Sequence, residues 1–369
     1  MLESVMLFGF ILSVSLFFYQ KYLKNEQLPA PAGAAIMAIG IFIYGGLHEV
    51  PLLSLYGEIL VMGLAVIWIL FVTYIMKTVK AHRFREQFLQ NPVDTFAIGT
   101  WIAGTSMLLN VSDQYFHGLW PLFFFIGGAN VLLYFWYMYQ CAHSFWRIVT
   151  TSAKNNVHGV LLLATVSTQS IAILLVNMYP VGLPKWGNVL FISLGLLFYG
   201  VSVWFLIRKY VFTYEWNIAD DWKNTNCIVH GALSITGVAA WMTEAYPTSA
   251  IVVIWGCAFM SFIFIEAIEV WRAFQRCRRY GIVQGVWQYD VSQWSRNFTF
   301  GMLYLFTASF AALEETIFQS VREVILSAGP WVLLGLLMME MMLFGKDTVK
   351  RIKQESADVL QNDVSKHSM

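Results

Sequence analysis

The chain has 369 residues, 58% of them hydrophobic and only 12% charged, with a formal net charge of +1. Ordinary globular chains carry about twice that charged fraction, so a soluble globule is excluded. The expected surroundings are membrane lipids, and no nucleic-acid partner is expected.

Apolar stretches near the ~20 residues needed to cross hydrocarbon recur along the whole length. The first, 2–20, carries Glu3 and no Lys or Arg ahead of its apolar run. That is the reverse of a secretory leader, so residues 1–24 are expected to hold an extra N-terminal membrane helix. Ten more stretches follow, at 31–47, 52–76, 95–111, 119–141, 157–178, 188–207, 228–244, 249–271, 298–313 and 326–345. The expected fold is therefore an all-α integral membrane protein of about eleven transmembrane helices. The ten fall into five pairs over 25–345, with a period of roughly sixty to seventy residues, longer than soluble solenoid repeats.

Each pair begins with a light helix, such as GALSITGVAA at 231–240, and continues with a heavy one, such as LWPLFFFIGGANVLLYFWYMY at 119–139. Small residues let backbones approach closely, and hydroxyls belong against protein or water. The light helices are thus expected inside and the bulky ones outside, as five tandem hairpins around a central pore. The tight turn Ala245–Tyr246–Pro247–Thr248 requires antiparallel neighbours within its pair. The segments 208–227 and 272–297 place Tyr210, Trp216, Trp222, Tyr280, Trp287, Tyr289 and Trp294 among charges, as aromatics at head-group depth do. Residues 346–369 alternate in sign and are expected to form a cytoplasmic tail.

Charge fixes the orientation. The segments 21–24, 77–85, 147–154, 208–223, 272–296 and 346–366 hold 21 of the 23 Lys and Arg residues, and all fall on one face if eleven stretches cross. The other face has Lys185 and Arg322, with Glu49, Glu58, Asp113, Glu244, Glu314, Glu315 and Glu323. The positive-inside rule then puts the amino terminus outside and the carboxyl terminus in the cytoplasm, as a multi-pass protein of the plasma (inner) membrane. Cys141, Cys227, Cys257 and Cys277 show no paired spacing, so neither a disulfide framework nor a metal site is expected.

No Lys, Arg, Asp or Glu stands in the middle of a light helix. Ion-coupled carriers keep such a residue at mid-depth. A pathway of hydroxyls and amide dipoles instead suits passive passage of a weakly hydrated anion. Candidate pore-lining hydroxyls are Thr100, Thr168, Ser234, Thr236 and Thr299; packing and back-bonding to the helix are the competing use of such groups. Glu266, Glu269 and Glu340 lie on heavy helices; Glu269 is spaced to pair with Arg272, and Glu266 is the deepest. His158 and His230 take matching places at the starts of adjacent light helices, where a pH-responsive mouth could form. No GxSxG, HExxH or phosphate-cradling loop is present, so neither an enzyme nor a cofactor is expected.

At Phe298–Thr299–Phe300–Gly301–Met302 the fifth light helix resembles the aromatic-Thr-Phe-Pro-Met segment of the slow anion channels of plant guard cells. These channels belong with the bacterial tellurite-resistance and dicarboxylate transporters, the TDT or voltage-dependent anion channel superfamily. Asn91–Pro92 and Phe96–Ala97–Ile98–Gly99–Thr100 look like that family's aromatic-x-x-x-Gly-Thr helix opening. The resemblance implies five hairpins around a pore, a homotrimer with one pore per subunit, and passage of small inorganic or organic anions. It implies that Phe300 is the gating ring and that Thr299 lines the wall beside it. Gly301 stands where the family has proline, and the helix at 2–20 is an addition. Three alternatives remain open on the same sequence: a proton-coupled carrier of dicarboxylates or monoanions, a membrane redox or lipid-modifying enzyme, and a vestigial pore in a protein that scaffolds a partner.

Overall fold

In the computed structural model the described residues are 2–20, 27–151, 156–179, 182–212, 216–311 and 317–367, and all their regular structure is helical. Glu314, Glu315, Lys21, Lys24 and Lys154, counted in the charge sorting above, lie outside them. The helices are α1 (Leu2–Phe18), α2 (Gly33–Ile41), α3 (Pro51–Ser54), α4 (Gly57–Lys80), α5 (Phe84–Phe88), α6 (Gly99–Tyr115) and α7 (Trp120–Thr150). They continue as α8 (Leu163–Met178), α9 (Lys185–Phe212), α10 (Ile228–Met242), α11 (Thr248–Gly285), α12 (Gln293–Ser309) and α13 (Gln319–His367). Among the described residues, seven helical stretches are long and apolar enough to cross a membrane: Ala30–Glu49, Gly57–Lys80, His117–Thr150, Gly159–Met178, Lys185–Phe212, Thr248–Gly285 and Gln319–Gln354. The chain is a multi-pass, all-helical membrane protein.

The light helices close a ring. α2 packs on α6, α6 on α8, α8 on α10, α10 on α12, and α12 returns to α2. Each heavy helix covers a seam of that ring: α4 bridges α2 and α6, α7 bridges α6 and α8, and α9 bridges α8 and α10. α11 bridges α10 and α12, while α13 spans α12 and the π-helical stretch Phe42–Gly46 that continues α2. Side-chain bulk decides the layering. Ring stretches 30–49 and 159–178 are 67% and 89% buried, whereas the five heavy stretches are 22–33% buried. Large apolar side chains of the heavy helices, among them Phe125, Leu132, Trp146, Leu197 and Phe264, face outward, as lipid-facing surfaces do.

The ring is tight because glycine sits in its seams. A Cβ on Gly159 would collide with the carbonyl oxygen of Thr225, and one on Gly301 would stand 2.9 Å from Ile41 Cγ1. Neither approach tolerates a side chain. Four ring helices begin with a 3₁₀ turn, at Ala30–Ala32, Asp94–Ile98, Gly159–Leu162 and Asn224–Cys227. These turns touch one another in sequence, and the last touches α12, so the ring helices all start at the same end. The basic segments precede those starts in the chain and tie them down. Arg147 donates to Leu89 O and Gln90 O, Lys209 to Val157 O, and Arg276 to Ala219 O.

α1 packs on α4 and otherwise presents Met6, Phe10 and Phe17 outward. α13 continues without a break past 346 to His367, so the tail is an extension of the last helix. α11 runs through to Gly285 with a kink at Gly281, whose φ of 78° is the left-handed region that glycine adopts freely. All four cysteines are free.

Candidate functional site

Two arrangements carry chemical possibilities, one inside the ring and one at the seam that α11 covers. The first is a small cavity of about 20 Å³ to which all five ring helices contribute, so it lies within the ring. Its polar lining is Tyr44, Ser106, Asn110 and Ser170; the rest is apolar and includes Ile173, Ile235, Val238, Phe298, Met302 and Leu305. That volume holds about one water molecule. The lining therefore describes a constricted, mostly apolar centre with a few neutral polar groups. Asn177 Nδ2 donates to Asn110 Oδ1 at 3.0 Å, and Asn130 Nδ2 donates to Ser106 Oγ at 3.0 Å. Each bond occupies an acceptor, which leaves the Asn110 amide N–H groups and the Ser106 O–H as donors.

The second arrangement is a buried charge cluster at the starting end of α12, between α10, α11 and the Asn224–Cys227 turn. Glu269 is its hub. Trp222 Nε1 donates to Glu269 Oε1 at 2.9 Å, Arg296 Nη2 lies 2.8 Å from Oε2, and Arg272 Nη1 lies 3.2 Å from Oε2. Arg272 also bonds Asn224, whose amide donates to Ser292 at 2.9 Å. Glu266 stands apart from this net, 3.9 Å from Arg296 Nε and 3.8 Å from His230 Nε2. Charged groups withdrawn from water are tolerated when paired, and here two carboxylates meet two guanidiniums.

No protein-family model matches the chain, and no curated protein is significantly similar to it.

The expected pore-lining hydroxyls are placed in helix seams. Thr100 donates to Ala97 O at 2.8 Å, Ser234 to His230 O at 2.8 Å, and Thr236 to Ala232 O at 2.6 Å. Thr168 donates to Ala164 O and accepts from Tyr134 of α7, an outer helix. Thr299 donates to Arg296 O, and its methyl group fills the space left by Gly231. None of the five is among the cavity walls. The hydroxyls are spent on their own helices and on packing.

Phe300 packs between α11 and α10. Its ring is edge-on to Phe262 of α11 at 5.0 Å and to His230 at 6.1 Å, and it does not line the cavity. Phe298 and Met302 do. Two residues advance a helix by about 200°, so Phe298 and Phe300 point to nearly opposite sides of α12. His158 and His230 are not brought together. His158 Nδ1 lies 2.8 Å from Thr225 Oγ1 at the mouth of the ring, whereas His230 meets Glu266. Trp222, expected at head-group depth, is buried over the charge cluster and packs its ring on Tyr210 at 4.8 Å.

Tyr44, Asn110, Asn177, Phe298 and Arg296 went unread in the sequence as site residues. On α6 a signal existed: Ala103, Ser106, Met107 and Asn110 form an i, i+3, i+4, i+7 stripe, one face of a helix. No comparable stripe reveals that Arg296 reaches Glu269.

Proposed function

We propose that this protein is a channel or transporter that passes small anions across the plasma (inner) membrane along the ring axis, closed in the present conformation. All eleven apolar stretches cross in this reading, as five hairpins and an extra N-terminal helix, with the amino terminus outside and the carboxyl terminus in the cytoplasm. The observation that carries it is the cavity shared by the five ring helices, whose polar lining is neutral and offers hydrogen-bond donors. Supporting it, the five ring helices start at one end, so the positive ends of their dipoles gather at one mouth. An anion approaching there meets partial positive charge and then N–H and O–H groups, which replace part of its water shell without the grip of a fixed cation. Phe298, Met302, Ile235 and Val238 form an apolar constriction, and such constrictions close a pathway by excluding water. The aromatic gate is therefore Phe298, with Phe300 acting as its packing support on the far side of α12. Assembly as a trimer, one pathway per subunit, follows the family resemblance.

The test is anion flux in proteoliposomes with chloride, nitrate and malate. Phe298→Ala is expected to raise flux on the order of tenfold or more by opening the hydrophobic constriction, while Phe300→Ala stays near wild type. If neither variant nor the wild type passes any anion, the proposal fails. If only Phe300→Ala leaks, the gate lies on the other side of α12.

A further inference from the structure

Two ionisable residues that stand 36 positions apart in the chain meet where the cavity does not reach. His230 is fully buried, and neither ring nitrogen has a hydrogen-bond partner. Glu266 Oε1, 3.8 Å from His230 Nε2, is also without one. Buried polar groups left unpaired are unfavourable, and one shared proton would turn this contact into a charge-assisted hydrogen bond. The surroundings make the pair responsive. Glu269 is already held by Trp222, Arg272 and Arg296, whereas Glu266 makes only the longer contacts of 3.9 Å to Arg296 and 3.8 Å to His230. The charged groups facing the pair are Glu269 and Arg272 from α11 and Arg296 from α12. Cys227, one turn before His230, and Tyr199 on α9 are the other titratable groups packed on this sector.

The geometry points to His230 and Glu266 as a shared proton-binding site that sets the position of α12 and thereby the conductance of the pathway; the second half of that statement rests on the transport reading above. Glu266, with 19% of its side chain exposed, takes the proton from water, and His230 Nε2 shares it. The formal charges of Glu266, Glu269, Arg272 and Arg296 cancel, so the added proton leaves the cluster with one positive charge. Glu266 is drawn to His230 and away from Arg296. Arg296 stands two residues before Phe298 on α12, and the His230 ring lies edge-on to Phe300 on the same helix. Arg296 and Phe300 are four residues apart and share one face of α12, so protonation acts on that face.

The experiment uses the full chain with His230→Gln and Glu266→Gln, both neutral and close in size to the originals. His143→Gln, on the exposed side of α7, serves as control. Apparent unfolding temperature in detergent and anion flux in proteoliposomes are recorded from pH 4 to pH 8, which brackets the ordinary range of a free imidazole. The wild type and the control are expected to show a step in unfolding temperature and a flux change on the order of tenfold, as for one titrating proton. Both variants are expected to lose the step and hold flux constant. If both keep the wild-type profiles, the proposal is overturned. If the step depends on the pair but wild-type flux is unaffected by pH, the coupling to α12 is overturned. If the wild type passes no anion while the step still depends on the pair, the proton site stands and the transport reading fails. Should one variant not fold, the other decides alone.

Discussion

A hydroxyl inside a membrane helix finds its nearest acceptor one turn back on its own backbone, and Thr100, Thr168, Ser234, Thr236 and Thr299 all take it. Glycines define the seams of the ring. At Gly159 a methyl group would meet the Thr225 carbonyl oxygen, whereas at Gly63 of α4 nothing lies within 4 Å. Overpacking a close backbone contact costs about 1–3 kcal/mol or more. Gly159→Ala is therefore expected to lower the apparent unfolding temperature markedly. At an open helix-interior site alanine stabilises by roughly 0.5–1 kcal/mol, so Gly63→Ala should hold or raise it. Equal effects of the two variants would contradict the packing assigned to Gly159. Helix angle separates Phe298 from Phe300 in the same way. The motif that makes the pentapeptide legible does not say which of its two rings faces inward.

At the scale of elements, α11 is tied to the start of α12 through Glu269, which pairs with both Arg272 and Arg296. Removing one member of a buried ion pair costs about 3–5 kcal/mol, because the partner charges stay behind. The Arg279–Asp220 pair, by contrast, has both side chains well exposed, at 53% and 40%, and solvent screens it to under about 1 kcal/mol. Thermal unfolding should therefore show Glu269→Gln strongly destabilised and Arg279→Ala almost unchanged; the reverse order would remove Glu269 from its central place. Of this net, the sequence shows Glu269 with Arg272, because i, i+3 spacing puts them on one helix face. Trp222 and Arg296 stand 47 and 27 positions from Glu269, and only the packing of α10, α11 and α12 brings them in.

For the whole molecule, the layering follows from side-chain volume and the polarity from basic residues. Gathering the starts of the ring helices at one end places the segments around Arg85, Arg147, Lys209 and Arg276 together at that end. Orientation in the membrane is testable in a background where the four cysteines are replaced. A membrane-impermeant thiol reagent on intact cells is expected to label Gly118→Cys, exposed at the start of α7, and to spare Arg85→Cys, exposed before the second ring helix. Labelling of Arg85→Cys alone would invert the topology.

The sequence by itself determined the all-helical membrane class, the light and heavy helix types and their repeat. Each is encoded locally, in hydrophobic run length, in residue volume and in composition that recurs over every unit. The tertiary structure decided which residue of each helix faces inward, and which distant charges meet. A helix turns by about 100° per residue, so a correct helix with an unknown rotation leaves its inner face open. That rotation is set by the glycine seams with neighbours far along the chain. For this reason the five hydroxyls bond back to their own helices, and Phe298 lines the cavity while Phe300 does not. His230 found Glu266 by the same packing.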